Sequence, residues 1–335
     1  MIYKKRLIML KDKFNRIHDY LRISLTDKCN LRCSYCNPND LAKGFFANSS
    51  RMTANEIDQI VSVFVKNGVK KIRLTGGEPL VRKDAKEIIL RLSKYPIELA
   101  ITTNGVFVNE FIETFKEAGL KSVNVSLDSL IKEKYFSITQ RDKFDRVTDN
   151  IKLLVANDFH VKVNVVVMKD VNDSEIPEFI QWTKDVPVHI RFIEFMPFTG
   201  NKWSSEKVFS HKQILNIISS KYHYIKLLNE KNDTSKKYFV PNHKGSFAII
   251  STMSEPFCNG CNRMRLTSDG KMYNCLFAKA GTDLLTSLRL GNDIEPLIKE
   301  CVQGKSFMLG GNNETKNWGN QTTVTHERSM ISIGG

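Results

Sequence analysis

Three cysteines in one short run near the amino terminus are the residues best suited to chemistry in this chain. Cys29, Cys33 and Cys36 are spaced C-x3-C-x2-C and follow a strand-like run at residues 21–26. Three thiolates can hold three irons of a cubane 4Fe–4S cluster and leave the fourth iron open, whereas a cluster that only relays electrons normally has cysteine on every iron. An open iron can chelate a small molecule and pass it an electron. The run therefore predicts a reactive iron–sulfur site.

A zinc site or a disulfide framework would use cysteines differently. Structural zinc takes four Cys or His ligands, usually in C-x2-C pairs, and no fourth ligand lies close to Cys36 in the sequence. Disulfide frameworks are typical of short secreted chains with an even number of cysteines, but this chain has 335 residues and seven cysteines. Both alternatives explain the first run less well than an open cluster does.

A second group of cysteines lies in the last third of the chain. Its members are Cys258, Cys261, Cys275 and Cys301. The first three form a C-x2-C-x13-C run, and Asp269-Gly270 inside it is a strong hairpin signal that would bring Cys275 back towards Cys261. Three thiolates again predict a metal site. Zinc remains an alternative here, with Cys301 or a histidine as the fourth ligand.

Composition limits the compartment and the partners. No apolar run approaches the ~20 residues of a membrane span, and the basic start Met1–Arg6 lacks the apolar stretch of a secretory signal. We therefore expect a cytoplasmic protein whose cysteines stay reduced. The excess of 50 basic over 36 acidic residues gives a net charge of +14 and favours an anionic partner. Charge alone does not choose between nucleic acid, an acidic membrane and a charged small substrate.

Strand-like and helix-like runs alternate through the first two-thirds of the chain. Strands are predicted at Leu21–Thr26, Lys71–Thr75, Glu98–Thr103, Ser122–Leu127, Val161–Met168 and Val188–Phe195. Alternation at this spacing indicates right-handed βαβ units and a parallel sheet. The first helix is marked by a capping box, Thr53-Ala-Asn-Glu56, and is ended by Gly68.

The two faces of the predicted strands differ in polarity. Leu21 and Ile23 oppose Arg22 and Ser24 in the first strand, and the second, fourth and fifth strands repeat this division. A sheet covered on both faces, or a closed eight-stranded barrel, would be apolar on both. The pattern predicts an α/β fold, an incomplete (β/α)6 TIM-type barrel with helices outside and a polar, ligand-filled concave face. An antiparallel sheet with one face in water is the alternative, and the intervening helices disfavour it.

The pattern of elements changes after the sixth strand. A boundary near residue 200 divides the chain into a barrel domain at residues 1–200 and a C-terminal domain at residues 201–335, which would carry the second cysteine run and close the barrel mouth. Within the sixth strand Arg191 and Met196 have opposite parity. A bulge or a strand end must therefore separate them.

Tyr35 precedes the last cysteine of the first run, and with this residue the run resembles the signature of the radical S-adenosylmethionine superfamily. The whole chain resembles one family within it, the GTP 3',8-cyclases of molybdenum cofactor biosynthesis. The resemblance rests on the second cysteine run with Leu276-Phe277 after it, on the chain end Met330-Ile-Ser-Ile-Gly-Gly335 and on motifs that fall in order. Those motifs are Arg22-Ile-Ser-Leu-Thr-Asp-Lys-Cys29, Arg73-Leu-Thr-Gly-Gly-Glu-Pro79, Thr102-Thr-Asn-Gly105, Asn124-Val-Ser-Leu-Asp128, Lys162-Val-Asn164 and Arg191-Phe-Ile-Glu-Phe-Met196.

The resemblance implies two open 4Fe–4S clusters and assigns residues to each ligand. The implied ligands of the cluster that binds S-adenosylmethionine are Cys29, Cys33 and Cys36, and those of the cluster that binds guanine are Cys258, Cys261 and Cys275. Residues implied to contact S-adenosylmethionine are Tyr35, Gly77, Ser126 and Met196. Residues implied to contact GTP are Arg22, Arg73, Thr102, Lys162, Arg263 and Arg265. Arg22, Gly334 and Gly335 are the expected catalytic residues, because a double-glycine tail could pass through a narrow gap into the active site.

The residue types support phosphate binding independently of the resemblance. Guanidinium groups suit bidentate capture of phosphate oxygens. Strand alternation alone places Arg22, Arg73 and Lys162 on the concave face, and Arg263 and Arg265 would share one face of the hairpin strand. A lone arginine on a strand is usually an ion-pair partner. Five cations near two metal sites instead predict an anion site.

The resemblance implies a lyase that converts GTP to (8S)-3',8-cyclo-7,8-dihydroguanosine 5'-triphosphate, the first step of molybdenum cofactor biosynthesis. S-adenosylmethionine, cleaved by an electron from the first cluster, would supply a 5'-deoxyadenosyl radical that takes hydrogen from the ribose 3' carbon before carbon 8 of guanine is joined to it. Implied partners are an electron donor such as flavodoxin or ferredoxin and a downstream cyclic pyranopterin monophosphate synthase. We also expect a homodimer and neither membrane nor nucleic acid as a partner.

Two departures from the family and two rival functions stay open. Asn37 stands where the family usually has methionine and Asn15 where it usually has glycine, but neither change removes a ligand. Cys301 matches no family ligand, and we expect a free thiol packed in or beneath a helix. A related two-cluster enzyme that modifies a peptide would need a peptide groove in place of a ring of cations. A non-catalytic metal protein that binds nucleic acid would need aromatic stacking platforms.

Overall fold

A computed structural model describes residues 9–36, 51–311 and 330–333. The predictions for Asn37, Gly334 and Gly335 lie outside these residues. Twelve strands of the described residues form one mixed sheet. The strands are β1 (Tyr20–Ser24), β2 (Lys71–Thr75), β3 (Glu98–Thr103), β4 (Ser122–Ser126), β5 (His160–Val167), β6 (His189–Glu194), β7 (Ile225–Lys226), β8 (Lys236–Phe239), β9 (Ser246–Ile250), β10 (Arg263–Leu266), β11 (Lys271–Tyr273) and β12 (Thr282–Asp283).

Nine α-helices lie in the described ranges, and six of them connect the first six strands. The helices are α1 (Ala54–Lys66), α2 (Ala85–Leu92), α3 (Ile112–Glu117), α4 (Lys132–Thr139), α5 (Phe144–Ala156), α6 (Ile176–Trp182), α7 (His211–Ser219), α8 (Leu284–Arg289) and α9 (Glu295–Gln303). No helix in the part of the chain that the structure describes is long and apolar enough to cross a membrane.

The first six strands lie side by side in sequence order and pair in parallel. Each lies within two residues of its predicted bounds. The antiparallel alternative is therefore wrong, because helices carry the chain back between successive strands, as parallel pairing requires. α1 begins as predicted, with Thr53 Oγ1 accepting from the Glu56 N–H at 3.2 Å and the Glu56 carboxylate accepting from the Thr53 N–H at 2.7 Å.

The C-terminal part of the chain extends this sheet at both ends. β10 pairs in parallel with β1, and β9 pairs in parallel with β6. β11 and β12 continue one edge and β8 and β7 the other, so the strand order is β12-β11-β10-β1-β2-β3-β4-β5-β6-β9-β8-β7. The added strands form hydrogen bonds with the backbone N–H and C=O groups that β1 and β6 would otherwise expose.

The predicted division of the strand faces is confirmed. Leu21 and Ile23 are fully buried in a core shared with Ile57 and Ile60 of α1. The alternate side chains, such as Arg22, line a cavity on the other face. β6 ends at Glu194, so a strand end separates the parities of Arg191 and Met196.

Two local conformations explain residue choices that the sequence analysis noted. The β10–β11 hairpin turns at Asp269-Gly270 as predicted, and Gly270 has φ +73°, where an added Cβ would meet Leu285 Cβ at 2.3 Å. Asn15 has φ +60° in the turn before β1. Asparagine tolerates the left-handed conformation better than most residues, so it can replace glycine there.

Candidate active site

A cavity of about 840 Å³ lies on the polar face of the sheet, and both cysteine sets border it. The six cysteines on its wall are Cys29, Cys33, Cys36, Cys258, Cys261 and Cys275. The residues predicted to contact the two ligands also lie there: Tyr35, Gly77, Ser126, Met196, Arg22, Arg73, Thr102, Lys162, Arg263 and Arg265. The fold therefore brings residues from across the chain to one chamber, and their individual roles stay predictions.

The N-terminal cysteine set lies in the loop after β1 and is held from two sides. Asn104 donates through its side-chain amide to Cys29 Sγ at 3.7 Å and to Asn30 Oδ1 at 2.7 Å. The backbone N–H groups of Arg32 and Ser34 donate to carbonyls at the end of α4, at 2.9 and 3.0 Å. The loop is thus fixed by protein contacts that leave its thiols facing the cavity.

The glycine turn after β2 packs directly on this loop. The Gly77 N–H donates to the Thr26 carbonyl at 2.7 Å, and an added Cβ at Gly77 would lie 2.4 Å from the Lys28 carbonyl oxygen. Glycine is therefore required for backbone-to-backbone packing at this position, whatever ligand the turn also meets.

Glu78, next in the same turn, is buried and has only protein partners among the described residues. Its carboxylate accepts from Leu80 N–H at 3.0 Å, Thr103 Oγ1 at 2.8 Å and Asn104 N–H at 2.6 Å. Burial raises the pKa of Glu78 to about 7, against the lowering effect of these hydrogen bonds. Glu78 therefore ties the β2 turn to the β3 turn that carries Asn104.

A second buried carboxylate supports Tyr35. The Tyr35 hydroxyl donates to Asp128 Oδ2 at 2.8 Å, and Asp128 Oδ1 accepts from the Val166 N–H at 2.9 Å. Burial raises the pKa of Asp128 to about 6. Both side chains border the cavity, so the N-terminal cysteine set has two carboxyl groups beside it.

Arginine 73 is almost fully buried, and protein acceptors already hold most of its guanidinium group. Nε donates to the Tyr20 hydroxyl oxygen at 2.6 Å, and Nη1 donates to the Ile101 carbonyl at 3.1 Å and to Thr102 Oγ1 at 3.4 Å. Within the described residues these bonds leave Nη2 for a ligand. Arg73 therefore has one nitrogen left for a ligand, and the predicted bidentate capture of phosphate would require some of these bonds to break.

Tyr20 is a polar residue of the cavity that the sequence analysis did not single out. Burial would raise the pKa of its phenol, but neighbouring Arg73 and Arg22 outweigh burial and lower that pKa to about 7. Tyr20 lies two residues before Arg22 on β1 and so points to the same face of the sheet. The alternation of side chains along this strand could therefore have predicted that Tyr20 lines the cavity.

Further cations from β5 and β6 complete this side of the cavity. Arg191 donates to Asn164 Oδ1 through Nε at 2.8 Å and also through Nη2. Burial, together with nearby Arg191 and Arg73, lowers the pKa of Lys162 to about 8. Mutual repulsion of this kind is relieved when a polyanion binds, which indicates an anion site. Arg191 and Asn164 were quoted only as motif members, although β5 parity already placed Asn164 beside Lys162.

The C-terminal cysteine set borders the cavity beside β10, the strand that pairs with β1. Cys258 Sγ accepts from the Leu309 N–H at 3.5 Å. Cys261 Sγ accepts from Arg263 Nη2 at 3.6 Å and from Lys305 Nζ at 3.5 Å. Burial alone would raise the pKa of Cys261, but Arg263 and Lys305 outweigh it and lower that pKa to about 6.

Cys301 does not join this set. It is half-buried on α9, and its thiol donates to the Met272 carbonyl at 3.7 Å. It is not among the residues that line the cavity. The expectation of a free thiol in a helix is confirmed, and the alternative of zinc with Cys301 as fourth ligand is not supported.

Each cysteine set offers three thiols to the cavity, and thiolate is the ligand that iron–sulfur clusters take. In the residues that the structure covers, no group of three or more His, Cys, Asp or Glu side chains is arranged to hold a metal ion. Three thiolates leave one position open on a tetrahedral zinc ion and one iron open on a cubane cluster, so the thiols by themselves suit either group. All seven cysteines are free thiols and therefore available as ligands.

Comparison with known proteins establishes the class. Residues 23–183 match the family model of the radical SAM superfamily, and residues 188–308 match the model named Molybdenum Cofactor Synthesis C. The crystal structure of Streptococcus suis SuiB bound to S-adenosylmethionine aligns with a TM-score of 0.62 at 16% identity, over 85% of this chain and 67% of that chain. The fold is thus the α/β fold of radical SAM proteins with a large mixed sheet, and its cysteine loop implies a 4Fe–4S cluster and S-adenosylmethionine.

Sequence relatives narrow the class to a family. The chain is 41% identical to the mitochondrial GTP 3',8-cyclase of Arabidopsis thaliana, over 98% of this chain and 84% of that protein, and 42% identical to the GTP 3',8-cyclase of Aquifex aeolicus, over 87% and 92%. It is 39% identical to human molybdenum cofactor biosynthesis protein 1 over 87% of this chain, but spans only 46% of that protein. The chain belongs to the GTP 3',8-cyclase family of molybdenum cofactor biosynthesis proteins.

Proposed function

We propose that this protein converts GTP to (8S)-3',8-cyclo-7,8-dihydroguanosine 5'-triphosphate with S-adenosylmethionine as co-substrate. The observation that carries the proposal is a single chamber bordered by two cysteine sets with cations between them. A triphosphate needs the cations, and a radical reaction needs both reactants enclosed together. The relatives named GTP 3',8-cyclase support the same substrate and product.

In this proposal each cysteine set holds one 4Fe–4S cluster. When bound by Cys29, Cys33 and Cys36, the first cluster supplies the electron that cleaves S-adenosylmethionine and so provides the radical that takes hydrogen from the GTP ribose. Cys258, Cys261 and Cys275 hold the second cluster and present guanine to the ribose-derived radical centre. The second cluster rests on the geometry of the thiols and on the family resemblance.

The residues beside the first set bind and orient S-adenosylmethionine. The Tyr35–Asp128 hydrogen bond fixes the aromatic ring next to the cysteine loop. Gly77 offers backbone without a side chain, Ser126 a hydroxyl and Met196 an apolar surface, and all three border the cavity. Buried carboxyl groups at this end suit the positively charged sulfonium and amino groups of the co-substrate.

The cations at the other end bind the triphosphate. Arg22, Arg73 and Lys162 approach from β1, β2 and β5, while Arg263 and Arg265 approach from β10. Thr102 holds Arg73 in place through its hydroxyl. Charge-assisted hydrogen bonds to phosphate oxygens are stronger than neutral ones, so this group would fix the ribose relative to the co-substrate.

Two described contacts support a catalytic role for the tail. Arg265 Nη1 donates to the Ile333 carbonyl at 3.2 Å. Ile333 is buried among Met196, Phe198 and Leu309, next to the cavity wall. Gly334 and Gly335 follow Ile333 in the sequence, and we propose that they act with Arg22 on the substrate. Removing both glycines should leave iron binding intact and abolish the cyclised product.

We further propose the finer architecture and the partners expected from the sequence. β1 to β6 form an incomplete TIM-type barrel within residues 1–200, and residues 201–335 close its mouth. The protein is a cytoplasmic homodimer that receives electrons from a flavodoxin or ferredoxin. Its product passes to a cyclic pyranopterin monophosphate synthase, as the relatives named for molybdenum cofactor biosynthesis support.

An anaerobic turnover assay tests the function. Iron-reconstituted protein, reduced with dithionite, is given S-adenosylmethionine with GTP or ATP, and products are separated by chromatography with mass detection. We expect 5'-deoxyadenosine together with an isomer of GTP of unchanged mass, and with GTP deuterated at the 3' carbon we expect deuterium in the 5'-deoxyadenosine. Equal turnover of ATP, or deuterium retained in GTP, would contradict the proposal.

A further inference from the structure

We infer that Lys305 is a positioning residue for the C-terminal cysteine set, acting as the buried charge partner of the Cys261 thiolate. The inference rests on the proposed second cluster, because it assigns to Lys305 the task of stabilising one ligand of that cluster. Lys305 lies beyond α9 and belongs to none of the motifs of the sequence analysis. Its position next to a ligand is visible only in the folded chain.

The geometry places the ammonium group between a ligand and the strand that carries the anion-binding arginines. Lys305 is only 2% exposed. Nζ donates to Cys261 Sγ at 3.5 Å and to the Arg263 carbonyl at 2.9 Å. One side chain thus joins the end of α9, the cysteine run and the start of β10.

The ammonium has no carboxylate partner among the described residues, although a buried cation normally requires an anion. Asp12, a buried acid in the amino-terminal segment, is already paired with Arg16 at 2.6 Å and with His18 at 3.0 Å. Arg263 and Arg16 repel the ammonium, whereas Cys261 and Cys275 attract it when they are thiolates. Among the described residues, the anion available to compensate Lys305 is therefore the Cys261 thiolate, whose Sγ lies 3.5 Å from Nζ.

Two ligands of the set, Cys261 and Cys258, differ in the groups that donate to their sulfurs. Cys261 receives hydrogen bonds from two cationic side chains, Lys305 and Arg263. Cys258 receives a backbone N–H from Leu309. Hydrogen bonds to cysteine sulfur help to set the stability and the reduction potential of an iron–sulfur cluster. Lys305 should therefore hold iron at this set and raise its reduction potential.

The test uses full-length protein in which Cys29, Cys33 and Cys36 are replaced by alanine, so that only the C-terminal set can hold a cluster. Lys305→Met removes the charge and keeps the side-chain length, while Lys305→Arg keeps the charge. Lys299→Met is the matched control, because Lys299 lies on α9 and pairs with Glu295 instead. The readouts are iron release to a ferrous chelator and the midpoint potential, both measured without oxygen.

We expect Lys305→Met to release iron about tenfold faster or more and to shift the midpoint potential to more negative values. Lys305→Arg and Lys299→Met should stay within about twofold of the parent in release rate, well below the effect of losing an outer-shell partner. Release and potential unchanged in Lys305→Met would overturn the inference. A parent protein that binds no iron at this set is a separate result, since it would overturn the proposed second cluster itself.

A double-mutant cycle in iron-free protein distinguishes a purely structural role of Lys305 from a charge partnership with Cys261. Lys305 also bonds the Arg263 carbonyl, so a structural role predicts that Lys305→Gln lowers the melting temperature equally with Cys261 or with alanine at position 261. A charge partnership predicts that the loss seen with Cys261 disappears in the Cys261→Ala background. Equal losses in both backgrounds would overturn the inference even if Lys305→Met failed to fold.

Discussion

The two cysteine sets present the same ligand atoms in different electrostatic surroundings, as Cys29 and Cys261 show. At the N-terminal set, burial and then nearby Glu78 raise the pKa of Cys29 to about 11. Burial also raises the pKa of Cys33 and Cys36, with the acidic Asp128 adding to the effect. At the C-terminal set, burial raises the pKa of Cys258, but at Cys261 the cations Arg263 and Lys305 overcome burial and lower the pKa to about 6.

This difference matches the charge of the ligand proposed for each side. S-adenosylmethionine carries a sulfonium and an ammonium group, so carboxyl groups beside the N-terminal set favour it. GTP carries a triphosphate, so the cations beside the C-terminal set favour it. The charges around the cavity therefore favour a different one of the two ligands at each cysteine set.

The largest expected effect comes from removing one ligand from each set. Cys33→Ala should abolish both cleavage of S-adenosylmethionine and formation of the cyclised nucleotide, because the electron can no longer be delivered. Cys258→Ala should abolish the cyclised nucleotide but leave 5'-deoxyadenosine formation at a measurable rate, because only the GTP side is damaged. Chromatography of both products in one reduced, anaerobic reaction separates the two cases.

Cys301→Ala is the control for these variants, since its thiol faces the Met272 carbonyl and not the cavity. It should cleave S-adenosylmethionine and cyclise GTP at rates close to those of the unmodified protein. Loss of 5'-deoxyadenosine formation in Cys258→Ala as complete as in Cys33→Ala would contradict the assignment of S-adenosylmethionine to the N-terminal set and GTP to the C-terminal set.

The second-largest expected effect is a difference in the rate at which the thiols of the two sets are alkylated in metal-free protein. The thiolate is the reactive form, so alkylation becomes fast as pH rises through the thiol pKa. Cys261 should gain reactivity near pH 6 and Cys29 only near pH 11. At pH 7.5 most of Cys261 but about one Cys29 thiol in a thousand or fewer is ionised, as one pKa unit corresponds to a tenfold change.

Iodoacetamide labelling followed by peptide mass spectrometry measures this difference between Cys261 and Cys29, which are both half-buried. Lys305→Met should move the onset of Cys261 labelling to higher pH and leave Cys29 unchanged. Equal labelling of the two cysteines at pH 7.5 would contradict the electrostatic contrast between the sets.

The sequence predicted the features of the cavity that depend on strand periodicity and on turn residues. Alternation along β1, β2 and β5 correctly placed Arg22, Arg73 and Lys162 on one face, and Asp269-Gly270 correctly predicted the hairpin. A period of two residues fixes which face a side chain takes, because adjacent residues on a strand must point in opposite directions.

Strand periodicity could not predict which residues those side chains contact. Lys305 meets Cys261 across 44 positions of the chain, and Arg73 meets Tyr20 across 53. Contacts of this range depend on strand register and on how loops return, and no local pattern encodes either. The same limit hid Glu78 and Asp128 as the acids beside the N-terminal cysteine set.

The smallest expected effect tests Tyr20, an ionisable phenol beside the arginines of the chamber. Tyr20→Phe removes the oxygen that accepts from Arg73 Nε at 2.6 Å. The loss of one such hydrogen bond costs roughly 0.5–1.5 kcal/mol, so GTP binding should weaken about twofold to tenfold at pH 6. Calorimetric titration of GTP into iron-reconstituted protein measures the change, with Tyr95→Phe as a control because Tyr95 bonds Asp58 instead.

The pH dependence of this variant gives the sharper result. The pKa of Tyr20 is lowered to about 7, so above that pH the phenol becomes a phenolate and repels the triphosphate while still holding Arg73. The affinity advantage of the unmodified protein over Tyr20→Phe should therefore shrink between pH 6 and pH 8. Comparing the two proteins at each pH cancels the titration of GTP itself. An advantage that grows with pH would show that Tyr20 stays neutral, and that the cations around it are balanced by another group.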